Sequence, residues 1–429
     1  MRFVAKFVLG PALAALPAFV LAAEPGVADY KHMGVASCAT SVCHGKLAPQ
    51  PGKNVALNEY RVWTQEDRHS QAYRTLELPE SKRIAANLGL ASASTAKICL
   101  DCHADNIPSD KRGPKFQLSD GIGCESCHGG AEKWLDSHAA ESATHKDNIA
   151  RGMYPSEQPL KRAELCLSCH LGTKDKFATH TIMGAGHPRL SFELEAYTTN
   201  QPAHYIVDAD YSQRKGKIEG MNLWITGQIE NARRSLTLMQ SGLFHADGMF
   251  PELAFYDCHS CHHPMDKIRW NAQRAGVGIK PGTLRLQSQN FVVLQAVTAV
   301  LEPAALNELV GMTNALIRAG QRDTVAVNAS AKAMLEWMSR RDSLARRQYS
   351  RAEVVNVRKM LIEYGATDKA GDYAAAEQIV LGVESLSYSL GDHDSKKASL
   401  DALYNAVKND TAFSPQQFAA AAKNAQRSF

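Results

Sequence analysis

The chain has little net charge, no long apolar stretch after its first 23 residues, and no cysteine outside five short motifs. Its 48 basic and 44 acidic residues give a formal charge of +4, so the composition offers no support for a polyanionic partner such as nucleic acid. Because no segment after residue 23 is apolar enough to cross a bilayer, we expect no membrane span in the mature chain. Sustained alternation of apolar and polar residues is also missing, which argues against a sheet.

The first 23 residues have the layout of a secretory signal peptide. Two basic residues, Arg2 and Lys6, precede an almost wholly apolar run, and the first acid is Glu24. Small residues at the end of the run offer a cleavage site. We therefore predict that residues 1–23 are a cleaved signal peptide and that the mature protein is periplasmic, with a formal charge of +2 once the two basic residues are removed.

The ten cysteines of an exported chain suggest disulfides, but their spacing indicates another role. They form five pairs, and a histidine directly follows the second cysteine of each pair. The five motifs are Cys38/Cys43/His44, Cys99/Cys102/His103, Cys124/Cys127/His128, Cys166/Cys169/His170 and Cys258/Cys261/His262. Four are CxxCH, the attachment motif of c-type haem, and the first has four intervening residues instead of two.

The chemistry of haem attachment explains this spacing. Two thiols form thioethers to one edge of the porphyrin, and the adjacent histidine ligates the iron. Zinc also binds CxxC pairs but requires no histidine after each of them, and iron–sulfur clusters need no histidine at all. The sequence therefore predicts five c-type haems, with the ten cysteines as attachment sites and the five motif histidines as proximal iron ligands.

Eleven histidines remain outside the motifs, and nine of them lie between residues 69 and 263. We expect most of the nine to be distal iron ligands. Ligation by two histidines, without the methionine that raises the reduction potential, favours electron transfer at low potential.

The surroundings of the motifs indicate a family. Residues 59–72 read EYRVWTQEDRHSQA, residues 99–103 read CLDCH, and residues 121–130 read GIGCESCHGG. In this order the three segments resemble the cytochrome c554 family, which shares its haem packing with hydroxylamine oxidoreductase and pentahaem nitrite reductase. The resemblance covers about residues 34 to 265.

The resemblance implies partners for some of the irons. His69 would ligate the haem of the fourth motif, and His138 the haem of the first. His180 and His187 compete for the third haem, and the glycine and proline beside His187 favour it. In the four-haem family the second haem lacks a distal histidine, so the haem of His103 would be the open one if any is, unless a spare histidine such as His180 or His204 closes it. The fifth motif departs from the family, and its candidates are, in order, His245, His204, His259 and His263.

Cysteine is absent after the fifth motif, and helical periodicity recurs to the end of the chain. The predicted helices cover residues 218–244 (beside the fifth haem), 284–301, 306–319, 325–340, 351–364, 373–386 and 400–407, with a last one beginning at Pro415 after an N-cap at Ser414. The predicted fold is thus mainly α, with a pentahaem domain of short helices and loops over residues 24–280 and a haem-free helical bundle over residues 281–429. Bracing the haem domain and docking a partner or a second copy both remain open as roles for the bundle.

Two functions are compatible with these features. The first is a periplasmic electron carrier that exchanges electrons with redox proteins such as a membrane quinol dehydrogenase or periplasmic cytochromes. The second is a redox enzyme that acts on hydroxylamine, nitric oxide, nitrite or sulfite at one open haem. The supply of histidines for every iron favours the carrier, and no motif is CxxCK, the form typical of ammonifying nitrite reductases.

Overall fold

The computed structural model describes residues 30–50, 55–216, 220–245, 251–263, 279, 283–367, 370 and 372–429. The predicted signal peptide and the predicted domain boundary at residue 281 lie outside these ranges. Within them, regular structure is helical apart from two isolated β-bridges, His32 with Arg112 and Tyr256 with Leu286. The prediction of a mainly α protein is confirmed. Across the described part of the chain, no helix combines the length and hydrophobicity that crossing a bilayer requires.

Short helices separated by loops make up the part of the chain that carries the first four motifs. They are α1 (Val35–Cys38), α2 (Glu59–Glu66), α3 (Ala72–Thr75), α4 (Pro79–Asn87), α5 (Lys97–His103), α6 (Cys124–His128), α7 (His145–Ala150), α8 (Pro159–His170), α9 (His180–Gly184), α10 (Leu194–Asn200) and α11 (Ala209–Lys215). The buried apolar side chains here form only small clusters, one around Leu100 and one around Leu167. This part of the chain therefore has no large apolar core among its described residues.

Longer helices follow, and they form a bundle. They are α12 (Gly220–Met239), α13 (Gly242–His245), α14 (Gln289–Leu301), α15 (Leu306–Ala319), α16 (Thr324–Ser339), α17 (Arg351–Ala366), α18 (Tyr373–Leu390), α19 (His393–Val407) and α20 (Pro415–Ala425). The start of α20 follows from its sequence, because the Ser414 side chain accepts a hydrogen bond from the backbone N–H of Gln417 and Pro415 occupies the first turn.

Two helix starts differ from the predicted ones. The helix expected from residue 284 begins at Gln289, because the preceding residues pair in extended form with the fifth motif's segment: the N–H of Asp257 donates to Arg285 O, and the N–H of Gln287 donates to Phe255 O. The helix expected from residue 400 begins at His393. Its first turn is polar and therefore lacks the apolar periodicity on which the prediction depended.

Helix α12 belongs to the core of the bundle. Its buried face packs on α14, α16 and α18, and it also contacts α8. Trp224 is fully buried there, and a Cβ added at Gly382 of α18 would lie 2.9 Å from its ring. The long apolar face of this helix is used by helix packing. Its residues Ser235 and Met239 also line a cavity with Phe255, three residues before the fifth motif, and the expectation that the helix packs beside the fifth haem stays a prediction.

The bundle contacts the segment between α9 and α10 directly. Arg189 forms an ion pair of 2.9 Å with Glu377, and the Gln378 amide donates to the carbonyl of Phe192 at 3.1 Å. The hydroxyl of Ser385 donates to the carboxylate of Glu193 at 3.0 Å. These polar contacts, made by α18, hold the segment that follows His187.

Candidate haem sites

Helical turns position the cysteines of the second, third and fourth motifs. The three motifs lie in α5, in α6 and in the last turns of α8. In a helix, residues three apart share a face, so the two thiols of a CxxC pair point to the same side and can reach one porphyrin edge. The histidine that follows ends each helix.

The first motif reaches the same relation between cysteine and histidine by a different route. The N–H of His44 donates to the carbonyl of Cys38 at 3.1 Å, and in the fifth motif the N–H of His262 donates to the carbonyl of Cys258 at 2.7 Å. The two residues that the first motif has in addition to a CxxCH motif therefore bulge outward. The loop requires glycine after the histidine, because a Cβ at Gly45 would lie 2.0 Å from the carbonyl oxygen of Ala39.

Cys43 and Cys261, the second cysteines of the first and fifth motifs, differ from the second cysteines of the other three motifs because neither lies in a helix. Cys43 lies in the turn that follows α1, and Cys261 comes directly after the short 3-10 turn Cys258–Ser260. Cys261 is exposed, whereas Cys43 is half-buried. Among the described residues the structure brings neither thiol to a second motif. Helix geometry therefore supports haem attachment only for the three pairs that lie in helices. For Cys43 and Cys261 this role stays a prediction from the motif.

Each motif histidine faces a second histidine ring. The distances between ring centroids fall in a narrow range: His44 and His138 at 6.0 Å, His103 and His187 at 6.3 Å, His128 and His204 at 6.1 Å, His69 and His170 at 6.2 Å, and His180 and His262 at 6.2 Å.

This separation is the one expected for two imidazoles on opposite sides of one metal ion. A metal–nitrogen bond of about 2 Å, and roughly 1 Å more from that nitrogen to its ring centre, give about 6 Å for two opposed rings. Two ligands at a tetrahedral angle, as on zinc, would bring the ring centres to about 5 Å. Each of the five pairs could therefore hold one haem iron between its two rings.

Two of these pairs are the ones that the resemblance implies, namely His138 with His44 and His69 with His170. Two others differ from the expected pattern. His187 lies opposite His103, whereas the third motif was its expected partner, and His204 takes the place opposite His128.

Helix packing explains the position of His187. The Asn87 side chain at the end of α4 donates to the carbonyl of Ala185 at 3.0 Å, and Gly186 lies against Ile84 of the same helix. Since α4 is followed closely by the second motif, this packing carries His187 to His103. The idea that the second motif lacks a distal histidine is therefore not supported by the geometry.

The histidine opposite the fifth motif is one that sequence analysis considered for the third haem. His180, at the start of α9, takes this position through Glu252, whose carboxylate accepts the backbone N–H of His180 at 2.7 Å. Glu252 also caps the short turn before the motif by accepting the N–H of Ala254. The favoured candidate, His245, is exposed at the end of α13 and lies beside the start of α16.

Another candidate for the fifth motif, His259, contacts aromatic side chains of the bundle. His259 packs on Tyr373 and Phe413 of the bundle, with ring centroids 5.6 and 6.2 Å away. His263, next to His262 in the chain, stays a candidate from the sequence alone. The ring that contacts His262 is that of His180.

Hydrogen bonds at Nδ1 orient five of the ten paired rings and leave Nε2 for iron. The acceptors are Glu59 for His44 at 2.9 Å, Asp67 for His69 at 2.9 Å, Ala72 O for His103 at 3.2 Å, Leu135 O for His138 at 2.5 Å and Pro188 O for His187 at 2.8 Å. Burial lowers the pKa of His128 to about 3 and that of His170 to about 4, so both rings are in the neutral form that binds metal.

Glu125, between the cysteines of the third motif, has a structural role that sequence analysis did not identify. Its buried carboxylate accepts the backbone N–H groups of Met33, Gly34 and Ala131 at 2.7 Å each. It thereby joins the segment before the first motif to the third motif. The sequence does contain a signal for this role, namely an acid inside a Cys-Glu-Ser-Cys-His motif that glycines flank. Glycines permit backbone groups to approach a carboxylate this closely.

A mainly helical chain with five such motifs, each facing a second histidine, has the features of a multihaem c-type cytochrome. Residues 32–129 match the family model described as cytochrome c554 and c-prime. The match confirms the resemblance that the motifs indicate and implies c-type haem and haem-based electron transfer, although it spans under a quarter of the 429 residues. No curated protein and no solved structure matches the chain.

Proposed function

We propose that the protein is a periplasmic electron carrier that holds five c-type haems, each between two histidines. The observation that supports this most strongly is the set of five histidine pairs at 6.0–6.3 Å. Bound haem supplies one-electron redox chemistry, and an iron with two histidine ligands has no free position for a substrate. The residues therefore favour a carrier over an enzyme.

The attachment cysteines of different motifs lie close together. The thiols of Cys38 and Cys124 lie close enough for each to shift the pKa of the other, which brings the first motif to the third. The thiols of Cys102 and Cys169 likewise shift the pKa of each other, and Cys169 lies 4.0 Å from the carbonyl oxygen of Asp101, which brings the second motif to the fourth. Groups attached at these points would be near neighbours.

Further contacts connect these two pairs of motifs to each other and to the fifth motif. Burial, followed by the nearby Cys166 thiol, raises the pKa of Cys127 to about 12, so the third and fourth motifs are adjacent. His180 is the first residue of the five-residue helix α9, and His187 follows shortly after its end. The helix is about 7.5 Å long. His180 faces the fifth motif and His187 the second. The motifs thus form a series in the order first, third, fourth, second, fifth.

The two ends of this series differ in their surroundings. At the first motif, Val42 is 81 % exposed, so this end is open to a partner. At the fifth motif, His259 packs on the bundle. We propose that redox proteins, for which a membrane quinol dehydrogenase and periplasmic cytochromes are the candidates, exchange electrons at the ends of the series.

Electron paramagnetic resonance of the oxidised protein, together with carbon monoxide titration of the reduced protein, tests the ligation. We expect only low-spin iron and no carbon monoxide binding in the wild type. His187→Ala should convert one haem in five to a high-spin form that binds carbon monoxide. The matched control is His245→Ala, because His245 does not face a motif histidine and its removal should leave every iron low-spin.

A high-spin signal in the wild type that responds to carbon monoxide or nitric oxide would overturn the carrier and favour the redox enzyme. Intact mass and a pyridine haemochrome assay count the haems, and five per chain are expected. The same mass measurement tests export, because a cleaved chain should begin near Glu24. A lower haem count would contradict the proposed stoichiometry independently of the ligation result.

A further inference from the structure

The histidine that faces the fourth motif has a carboxylate behind it. The rings of His69 and His170 have centroids 6.2 Å apart, and Nδ1 of His69 donates to Oδ1 of Asp67 at 2.9 Å. Because Nδ1 is used in this way, Nε2 is the ring nitrogen that is left for iron. The same carboxylate oxygen accepts the backbone N–H of His69 at 2.9 Å, so one group holds both the ring and the chain.

The Asp67 carboxylate is buried and is surrounded by hydrogen-bond donors. Its side chain is 6 % exposed, and its second oxygen accepts the side-chain amide of Gln201 at 2.9 Å. The three groups that it bonds are all N–H donors, and the ionised carboxylate is the form that only accepts. Since little solvent reaches this charge, its effect on the His69 ring is stronger than it would be at the surface.

The second motif, which follows the fourth in the proposed series, has neutral acceptors behind its two rings. Nδ1 of His103 donates to the carbonyl of Ala72 at 3.2 Å, and Nδ1 of His187 donates to the carbonyl of Pro188 at 2.8 Å. A carbonyl orients an imidazole as a carboxylate does, but it carries no net charge. Two neighbouring haems would thus have the same kinds of iron ligand and differ in the charge behind them.

One helix, α2, carries this acid and a second one like it. Asp67 directly follows the helix, and Glu59, its first residue, accepts Nδ1 of His44 at 2.9 Å. Because eight residues of helix span about 12 Å, the two acids reach different motifs, the fourth and the first. The Glu59 side chain is 16 % exposed, so solvent screens its charge more than that of Asp67.

We propose that Asp67 lowers the reduction potential of the haem held between His69 and His170, so that one electron passes from this haem to the haem of the second motif. This rests on the proposed haem binding by these motifs. A carboxylate at Nδ1 makes the imidazole a more basic ligand, and a more basic ligand stabilises the more highly charged ferric iron. Asp67 and His69 keep their hydrogen bond in both oxidation states, so no proton moves and no bond changes. Asp67 acts through His69 and is a positioning residue.

The test is Asp67→Asn, which removes the charge and keeps the hydrogen bonds. The new carbonyl accepts both N–H groups of His69, and the Gln201 amide can rotate so that its oxygen accepts the new NH₂ group. Redox titration followed by electron paramagnetic resonance measures each potential, and the low-spin signal that is lost in His69→Ala identifies the haem. We expect the equilibrium constant for its reduction to rise about tenfold, which corresponds to about 59 mV for one electron.

Two other variants of α2 are the controls. Glu66→Gln removes the same charge at an exposed position directly before Asp67, and the potential of the haem at His69 should stay unchanged. Glu59→Gln should raise the potential of the haem at His44 and leave that of the haem at His69 unchanged. An unchanged potential in Asp67→Asn, or an equal rise at the haem of His69 in either control, would overturn the proposal.

Gln201→Leu tests the proposal from the opposite direction, also where Asp67→Asn does not mature. It removes a donor that competes with His69 for the carboxylate, so the potential of this haem should fall below the wild-type value. A rise or no change would overturn the proposal. All these variants except His69→Ala should keep the wild-type number of low-spin haems. A failure of the proposed function would therefore appear in the wild-type spectrum, whereas a failure of this proposal would appear only in the differences between variants.

Discussion

Glu193, at the contact between the haem-bearing segment and the bundle, should make the stability of the protein depend on pH. Its side chain is 2 % exposed, and burial raises the pKa of its carboxyl group to about 7, against the lowering effect of hydrogen bonds from two backbone N–H groups and from Ser385. The ordinary value is 4.5. The folded protein therefore holds this proton more tightly than the unfolded chain does.

The size and sign of the effect follow from these values. Each pKa unit corresponds to about 1.4 kcal/mol, so ionisation of Glu193 should cost the folded state about 3 kcal/mol relative to the unfolded chain. Because the folded state binds more protons between pH 4.5 and 7, the free energy of unfolding should fall as pH rises through this window. Above about pH 8 the carboxyl group is mostly ionised in both states and its contribution is nearly constant.

Guanidinium unfolding followed by far-ultraviolet circular dichroism at pH 5, 6, 7 and 8 measures this dependence. Burial also raises the pKa of Asp372, to about 6, so the wild-type slope contains more than one group. The difference between the wild type and Glu193→Gln isolates Glu193, and the variant should lose most of the decline. Glu384→Gln, at a partly exposed position on α18, is the control for the change of charge. Equal slopes in the wild type and Glu193→Gln would refute the reasoning.

Three further predictions concern other parts of the structure. His69→Ala should leave one iron high-spin and lower the melting temperature, because the ring is held by Asp67 and joins distant segments; a wholly low-spin spectrum would contradict it. Glu125→Gln should destabilise the protein by about 2 kcal/mol in chemical unfolding, because it weakens three buried hydrogen bonds to a charged acceptor. Gly382→Ala should cost about 1–3 kcal/mol by overpacking against Trp224, and an unchanged unfolding midpoint would show that the core relaxes.

The helices of the bundle could be predicted closely because their signals are local. The helix over residues 306–319 has the predicted bounds, since its apolar periodicity ends at a glycine. Ser414 and Pro415 mark the last helix in the same way. The segment before Gln289 could not be read from local signals, because its partner in the β-bridge lies about 30 residues earlier in the chain.

The motifs predicted to attach haem are also local features, whereas the histidines that face them depend mostly on long-range packing. His180 and His187 show why. They are separated by seven positions and compete, in the sequence, for one motif, yet they face different motifs in the structure. Helix α9 ends at Gly184, and Gly186 then adopts a φ of +119°, a conformation that side chains other than hydrogen disfavour. The chain changes direction at Gly186, so His187 does not continue along the axis of α9. The packing of Ala185 on α4 and the bond from His180 to Glu252 then decide which motif each ring meets.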